Sequence, residues 1–182
     1  MTAPTSLPRR STIAEPPDLE PEQLLVIAHG LARSAEHWPH HAHPAARERW
    51  SLAATEQFHA VAIRWTPGAH RALHDHGGST GAIVVAAGSL FETEFISNDQ
   101  EPLQTVSRTV LAGEHILIGP GHVHDMINLG AVPALSVHVY SPLLRSMTYY
   151  REVPGDRLVA VRTEVVSGRA SDPRLPSQSS SA

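Results

Sequence analysis

The residues of this sequence best equipped for metal chemistry are its histidines, 13 in 182 residues, in a chain that has no cysteine. Without thiols there is no disulfide framework, no thiolate ligand and no thiol nucleophile, so a metal site must use other ligands. His74 and His76 stand two apart in HDHGGSTGAIVVAAG. In a strand, residues at i and i+2 share a face, so both rings can reach one ion. A second group, GPGHVHDMIN, carries His122 and His124 behind a Gly-Pro-Gly turn, with Asn128 four residues beyond His124. A third segment, ALSVHVYS, puts Ser136, His138 and Tyr140 on one strand face and Leu135, Val137 and Val139 on the other. A hydroxyl, an imidazole and a phenol then line up as a row of hydrogen-bonding groups. A lone histidine is usually a solvated or hydrogen-bonded residue, and an HxH pattern alone is weak. Two agreeing motifs are what favour a metal here.

These groups need a rigid frame. From Phe58 onward the sequence consists of short β-branched segments punctuated by Gly, Pro and Asn: AVAIRW, GAIVVAA, SLFETEFI, QTVSRTVL, EHILIG, HDMIN, ALSVHVYS and DRLVAVRTEVV. About eight short strands are expected, and the lack of strand-helix alternation argues for a sandwich or closed barrel rather than a parallel sheet. Ahead of them Leu24, Ile27, Ala28 and Leu31 recur at helical spacing between Asp18 and Ser34, behind Pro21 and two glutamates suited to a first turn. One or two N-terminal helices followed by a small β-barrel is the predicted architecture.

A length of 182 residues with 41% hydrophobic content suits one domain with a substantial core, expected over residues 18–167. Residues 1–17 and 168–182 are rich in Pro, Ser and Thr without periodicity and are expected to be disordered tails. The net charge is −4, from 14 Lys+Arg against 18 Asp+Glu, and no basic run marks a nucleic-acid partner. The first residues lack the apolar stretch of a signal peptide, and no apolar run approaches the roughly 18 residues of a membrane span. A soluble cytoplasmic protein is expected, and its oligomeric state stays open.

The spacing of the histidine groups resembles the paired motifs of the cupin barrel, in which an HxH on one strand and a single His followed four residues later by Asn converge on a metal. On that resemblance the ligands are His74, His76 and His124, and His122 lies near the metal mouth or outside it. The usual first motif carries a glutamate where this sequence has Gly81. Three neutral imidazoles without a carboxylate leave open positions and an undiminished +2 charge, unlike the two-His, one-carboxylate triad. Such a centre favours an anionic ligand such as a substrate thiolate. Zinc also binds three histidines, so the ion's identity needs a second argument.

HDHGGSTGAIVV together with ALSVHVYSPLLRSMTYY supplies it. Over residues from about Arg47 to Tyr150 the chain resembles the bacterial branch of the cysteine dioxygenase family, within the cupin class. The resemblance implies Fe(II), with a small thiol and O2 as partners, and oxidation of L-cysteine to its sulfinic acid. It implies that Tyr140 hydrogen-bonds substrate and oxygen, that His138 orients Tyr140, and that Ser136 anchors His138. Animal members of the family carry a cysteine near the position of Gly81 that crosslinks to the tyrosine, which this cysteine-free chain cannot do. In members preferring cysteine an arginine on a strand ahead of the HxH holds the substrate carboxylate, and Arg49 stands 25 residues before His74. Arg47 is its competitor, with Arg145 a further candidate, and an exposed arginine after a helix end is the plain alternative. A 3-mercaptopropionate dioxygenase fits the same motifs, and a cupin that binds a metal or metabolite without catalysis is the reading from another class. The tract His37, His40, His41 and His43, interrupted by prolines, is assigned no role. Asp75 and Asp125 are expected to make structural hydrogen bonds.

Overall fold

The computed structural model describes residues 17–35, 47–98 and 101–166. The expected tails, apart from Pro17, and the His37–His43 tract lie outside the described residues. One helix, α1 (Pro21–Ala32), precedes eleven strands: β1 (Arg47–Ala54), β2 (His59–Trp65), β3 (His70–His74), β4 (Thr80–Ala87), β5 (Ser89–Asn98), β6 (Glu101–Leu111), β7 (His115–Ile118), β8 (Val123–Ile127), β9 (Ala134–Ser141), β10 (Ser146–Val153) and β11 (Arg157–Val165). The predicted mainly β architecture with a leading helix therefore holds. All pairings are antiparallel, in a five-stranded sheet ordered β1-β2-β9-β4-β7 and a six-stranded sheet ordered β11-β10-β3-β8-β5-β6.

Three strands exceed the sequence expectation: β1 (RERWSLAA), β3 (HRALH) and β10 (SMTYYREV). None alternates cleanly between apolar and polar residues, and pairing with neighbours holds them extended: β1 lies along β2, and β10 bridges β3 and β11.

Alternation sorts the strand residues into two cores. Trp65, Ile83, Val85, Leu90, Met126, Tyr140 and Met147 pack together between the sheets. Their chain neighbours Ala82, Val84, Val137 and Val139 face outward, where Leu24 and Ala28 of α1 cover them. This explains why every residue of β9 is buried. The helix starts where expected for a physical reason: Pro21 occupies its first turn, and the Glu20 backbone N–H donates to Gln23 Oε1 at 2.9 Å in a capping box. Among the described residues no helix is long and apolar enough to cross a membrane.

Candidate metal centre and cavity

His74 ends β3 directly opposite His124 on β8, and β8 is bordered on its other side by β5. His76 lies two residues past the end of β3, in the turn leading to β4 rather than on a strand with His74. The turn still returns its ring to the same place. The three rings have centroids 4.9 to 5.1 Å apart, and one ligating atom from each lies within 4.8 Å of the others. All three side chains are buried.

Hydrogen bonds fix which nitrogen of His74 and of His124 faces the centre. His74 Nδ1–H donates to the Ala72 carbonyl at 2.8 Å, leaving Nε2 bare. His124 Nδ1–H donates to Glu92 Oε1 at 2.7 Å, and its Nε2 has no partner among the described residues. Neither ring nitrogen of His76 has one either. Buried polar atoms without partners are costly, and lone pairs converging from three rings are satisfied together by one cation. Burial, and then the neighbouring His124, push the imidazoles of His74 and His76 well below the ordinary histidine range, so both are neutral and ready to ligate. Burial lowers His124 as well, partly opposed by Glu92. The residues fit a metal ion.

Tyr140 joins the triad to the row on β9. Its ring stacks on His76 with centroids 5.2 Å apart. His138 Nδ1 lies 3.1 Å from the Tyr140 hydroxyl, and His138 Nε2 lies 2.8 Å from Ser136 Oγ. The Trp65 indole N–H, which can only donate, reaches Ser136 Oγ at 2.9 Å. Burial drives His138 well below the usual imidazole range, with His124 and the nearby arginines adding to the effect. The Tyr140 hydroxyl moves the other way: burial raises it far above the ordinary phenol range despite the arginines. It is a proton donor, not a phenolate. Gly81 makes room for this ring. A Cβ there would stand 2.8 Å from Tyr140 Cδ1 and 3.0 Å from the Val139 carbonyl oxygen. The space beside Gly81 is thus filled by the Tyr140 ring.

A cavity of about 300 Å³ opens beside these groups, lined by His74, His124, His138 and Tyr140, by apolar residues including Val61, Ile63, Met126, Leu144 and Met147, and by the charged Arg47, Arg49, Arg71 and Glu164. Arg47 and Arg49 both sit on β1 rather than after a helix end. Arg145 does not line the cavity. Arg49 Nη2 donates to His59 Nε2 at 3.0 Å, and Arg47 stacks over Trp65. Burial, reinforced by Arg71, lowers Arg47 to about 10, and burial lowers Arg49 also. Both stay cationic near neutrality.

Sequence reasoning missed Glu92, Arg71, Trp65 and His59. Arg71 lies 5.0 Å over the Tyr149 ring, donates to Met147 Sδ at 3.1 Å, and sits 3.9 Å from Glu164. Glu92 is buried on β5, where it shares a strand face with the buried Leu90. A carboxylate in register with core residues was the available signal. His122 does not join the triad: its Nε2 and Nδ1 each lie 3.1 Å from a carboxylate, of Glu92 and Glu94 respectively. Burial alone would raise the Glu92 carboxyl, yet hydrogen bonds from His122, His124 and Arg108 hold it well below the ordinary carboxylate range. Asn128 is structural, donating to the carbonyls of Trp65 and Val132. Asp75 accepts from Gly77 N, Thr148 N and the Tyr150 hydroxyl, and Asp125 lies 3.7 Å from His70.

The profile of the family described as cysteine dioxygenase type I matches residues 20–153. Among solved structures, an oxalate oxidase in complex with the substrate analogue glycolate is 24% identical over 55% of this chain and 53% of that chain, with a TM-score of 0.49. KdgF from Halomonas sp. is 22% identical over 59% of this chain and 88% of that one, with a TM-score of 0.46. The Cnp3 cupin domain of Schizosaccharomyces pombe is 13% identical over 53% and 61%, with a TM-score of 0.45. The matched region spans about half the length of the oxalate oxidase chain.

Proposed function

Since the chain belongs to the cysteine dioxygenase type I family, we propose that it is a cytoplasmic iron(II)-dependent thiol dioxygenase converting L-cysteine and O2 to cysteine sulfinic acid. The observation that carries this reading is the convergence of three neutral imidazoles, with no carboxylate among them, beside a cavity lined by Tyr140 and by Arg47, Arg49 and Arg71. His74, His76 and His124 would hold the ion. Iron(II), when bound, supplies the Lewis-acid and redox chemistry that joins both atoms of dioxygen to sulfur.

The chain's own residues bind and orient. Arg49 offers a planar fork to the substrate carboxylate, with Arg47 beside it on the same strand. The wall formed by Val61, Ile63, Leu144 and Met147 excludes water from the thiol end. On β9 one proton arrangement serves every group: Trp65 donates to Ser136, Ser136 donates to His138 Nε2, and His138 Nδ1–H donates to the Tyr140 oxygen. The Tyr140 O–H proton is then free for negative charge developing in the cavity.

The test is to load the purified protein with Fe(II) and measure O2 uptake and sulfinate formation with cysteine, 3-mercaptopropionate, cysteamine and mercaptosuccinate. Cysteine sulfinate formed with iron and lost on chelation supports the reading. A preference for 3-mercaptopropionate would move the substrate. Metal binding without sulfinate from any thiol would make this a binding protein.

A further inference from the structure

The triad lacks a carboxylate, yet a carboxylate stands directly behind it. Glu92, 1% exposed, faces β8 from the neighbouring strand β5. Its Oε1 accepts from His124 Nδ1 at 2.7 Å and from His122 Nε2 at 3.1 Å, and its Oε2 accepts from Arg108 Nε at 2.8 Å. The other two imidazoles have no such support: His74 Nδ1 donates to a neutral backbone carbonyl, and His76 has no partner among the described residues. The negative charge is therefore delivered through one ligand only. Burying an anion is expensive unless it is paired, and here the permanently charged partner among the described residues is Arg108, whose side chain is 48% exposed.

We infer that Glu92 is a positioning residue for the metal: it fixes the His124 ring with Nε2 toward the ion and supplies, one bond removed, the negative charge that the ligand set lacks, while Arg108 sets how much of that charge His124 receives. Carboxylates that accept from a ligating imidazole orient the ring and raise its basicity. Arg108 acts in the opposite sense, because a guanidinium on Oε2 draws charge away from Oε1. His122 and Glu94 close the cluster and hold the carboxylate in place. The inference rests on the metal reading of the triad.

Its sign structure makes it testable apart from activity. Glu92→Gln keeps an oxygen for His124 Nδ1–H but removes the charge. Arg108→Gln, at a half-exposed position, keeps the carboxylate and removes its cation. Cobalt(II) affinity is measured by competition with a chromophoric chelator, and the Fe(III)/Fe(II) potential is measured on the iron-loaded chain. Glu92→Gln is expected to weaken cobalt binding by roughly 10- to 100-fold and to raise the potential. Arg108→Gln is expected to tighten binding and lower the potential. A merely structural role would weaken binding in both variants, and that result, or a Glu92→Gln affinity equal to wild type, overturns the inference. Should Glu92→Gln fail to fold, the direction of the Arg108→Gln shifts still decides. A wild-type chain that takes up no metal would end both this inference and the proposed activity, whereas metal uptake insensitive to Glu92 ends this inference alone.

Discussion

The six-stranded sheet brings His74 and His124 to the cavity, the five-stranded sheet brings His138, Tyr140, Arg47 and Arg49, and the groups behind these two walls differ in charge. Behind His124 stands a buried carboxylate, Glu92, at 2.7 Å. Behind Arg49 stands a neutral imidazole, His59, whose Nε2 accepts from the guanidinium at 3.0 Å. Each backing suits what the front residue meets. A carboxylate behind an imidazole strengthens it as a donor to a cation, while a neutral acceptor behind a guanidinium holds it in place without cancelling its charge toward an anion. Reversing the two backings would weaken both walls.

The comparison breaks most completely at the metal wall. His124→Ala is expected to lose iron and activity together, because two remaining ligands hold the ion poorly. His122→Ala is expected to keep its iron, since that ring faces Glu92 and Glu94 rather than the triad. Elemental analysis of both variants checks this, and an empty His122→Ala beside a full His124→Ala would reverse the assignment.

On the facing wall the expected effects are smaller. Tyr140→Phe keeps the ring that stacks on His76 and removes only the hydroxyl, so iron and thiol should still bind. Loss of a preorganised donor costs on the order of 10²-fold in turnover, read as sulfinate formed per unit time and per O2 consumed. Unchanged rate and coupling would remove Tyr140 from the chemistry. Smaller still is Arg49→Ala. Truncating a hydrogen bond to a charged group removes about 1.5 to 3 kcal/mol, or roughly ten- to a hundred-fold in kcat/KM for cysteine. Cysteamine, which has no carboxylate, should be nearly unaffected. Equal losses for both thiols would indicate a folding defect, and no loss for either would pass the role to Arg47 or Arg71.

The two walls were not equally legible in the sequence. The resemblance of the histidine spacing to the cupin motifs pointed to His74, His76 and His124, and strand alternation pointed to the Ser136, His138 and Tyr140 face. The backing groups had no such mark. Glu92 meets His124 across a β5–β8 pairing separated by 32 positions, and nothing local in SLFETEFI identifies its partner. His59 and Arg49 meet across the β1–β2 pair, and β1 itself was hidden by charges and alanines where β-branched residues would have been expected. His76 shows the converse case: two-residue spacing suggested a shared strand, whereas a turn delivers the ring.

The smallest expected effect tests the neutrality of the His59 backing. Burial, followed by the charge of Arg49, lowers His59 to about 4 from an ordinary value near 6.5. The folded state thus binds a proton less readily than the unfolded chain. The resulting stability is fully present above about pH 6.5 and is progressively lost as pH falls toward 4, because the unfolded state takes up the proton first. His59→Gln offers Arg49 an amide oxygen in place of Nε2 and does not titrate. The other buried imidazoles titrate in both proteins and cancel in the comparison. Urea unfolding of the metal-free forms at pH 7.5 and pH 5 should show wild type losing more stability than the variant, by about 1 to 2 kcal/mol once solvent screening at this pair, whose Arg49 lines the cavity, is allowed for. An equal loss in both would mean that His59 binds a proton as readily in the folded state as in the unfolded chain, so that the Arg49 guanidinium does not rest against it, and the cationic wall would have to be held by some other contact.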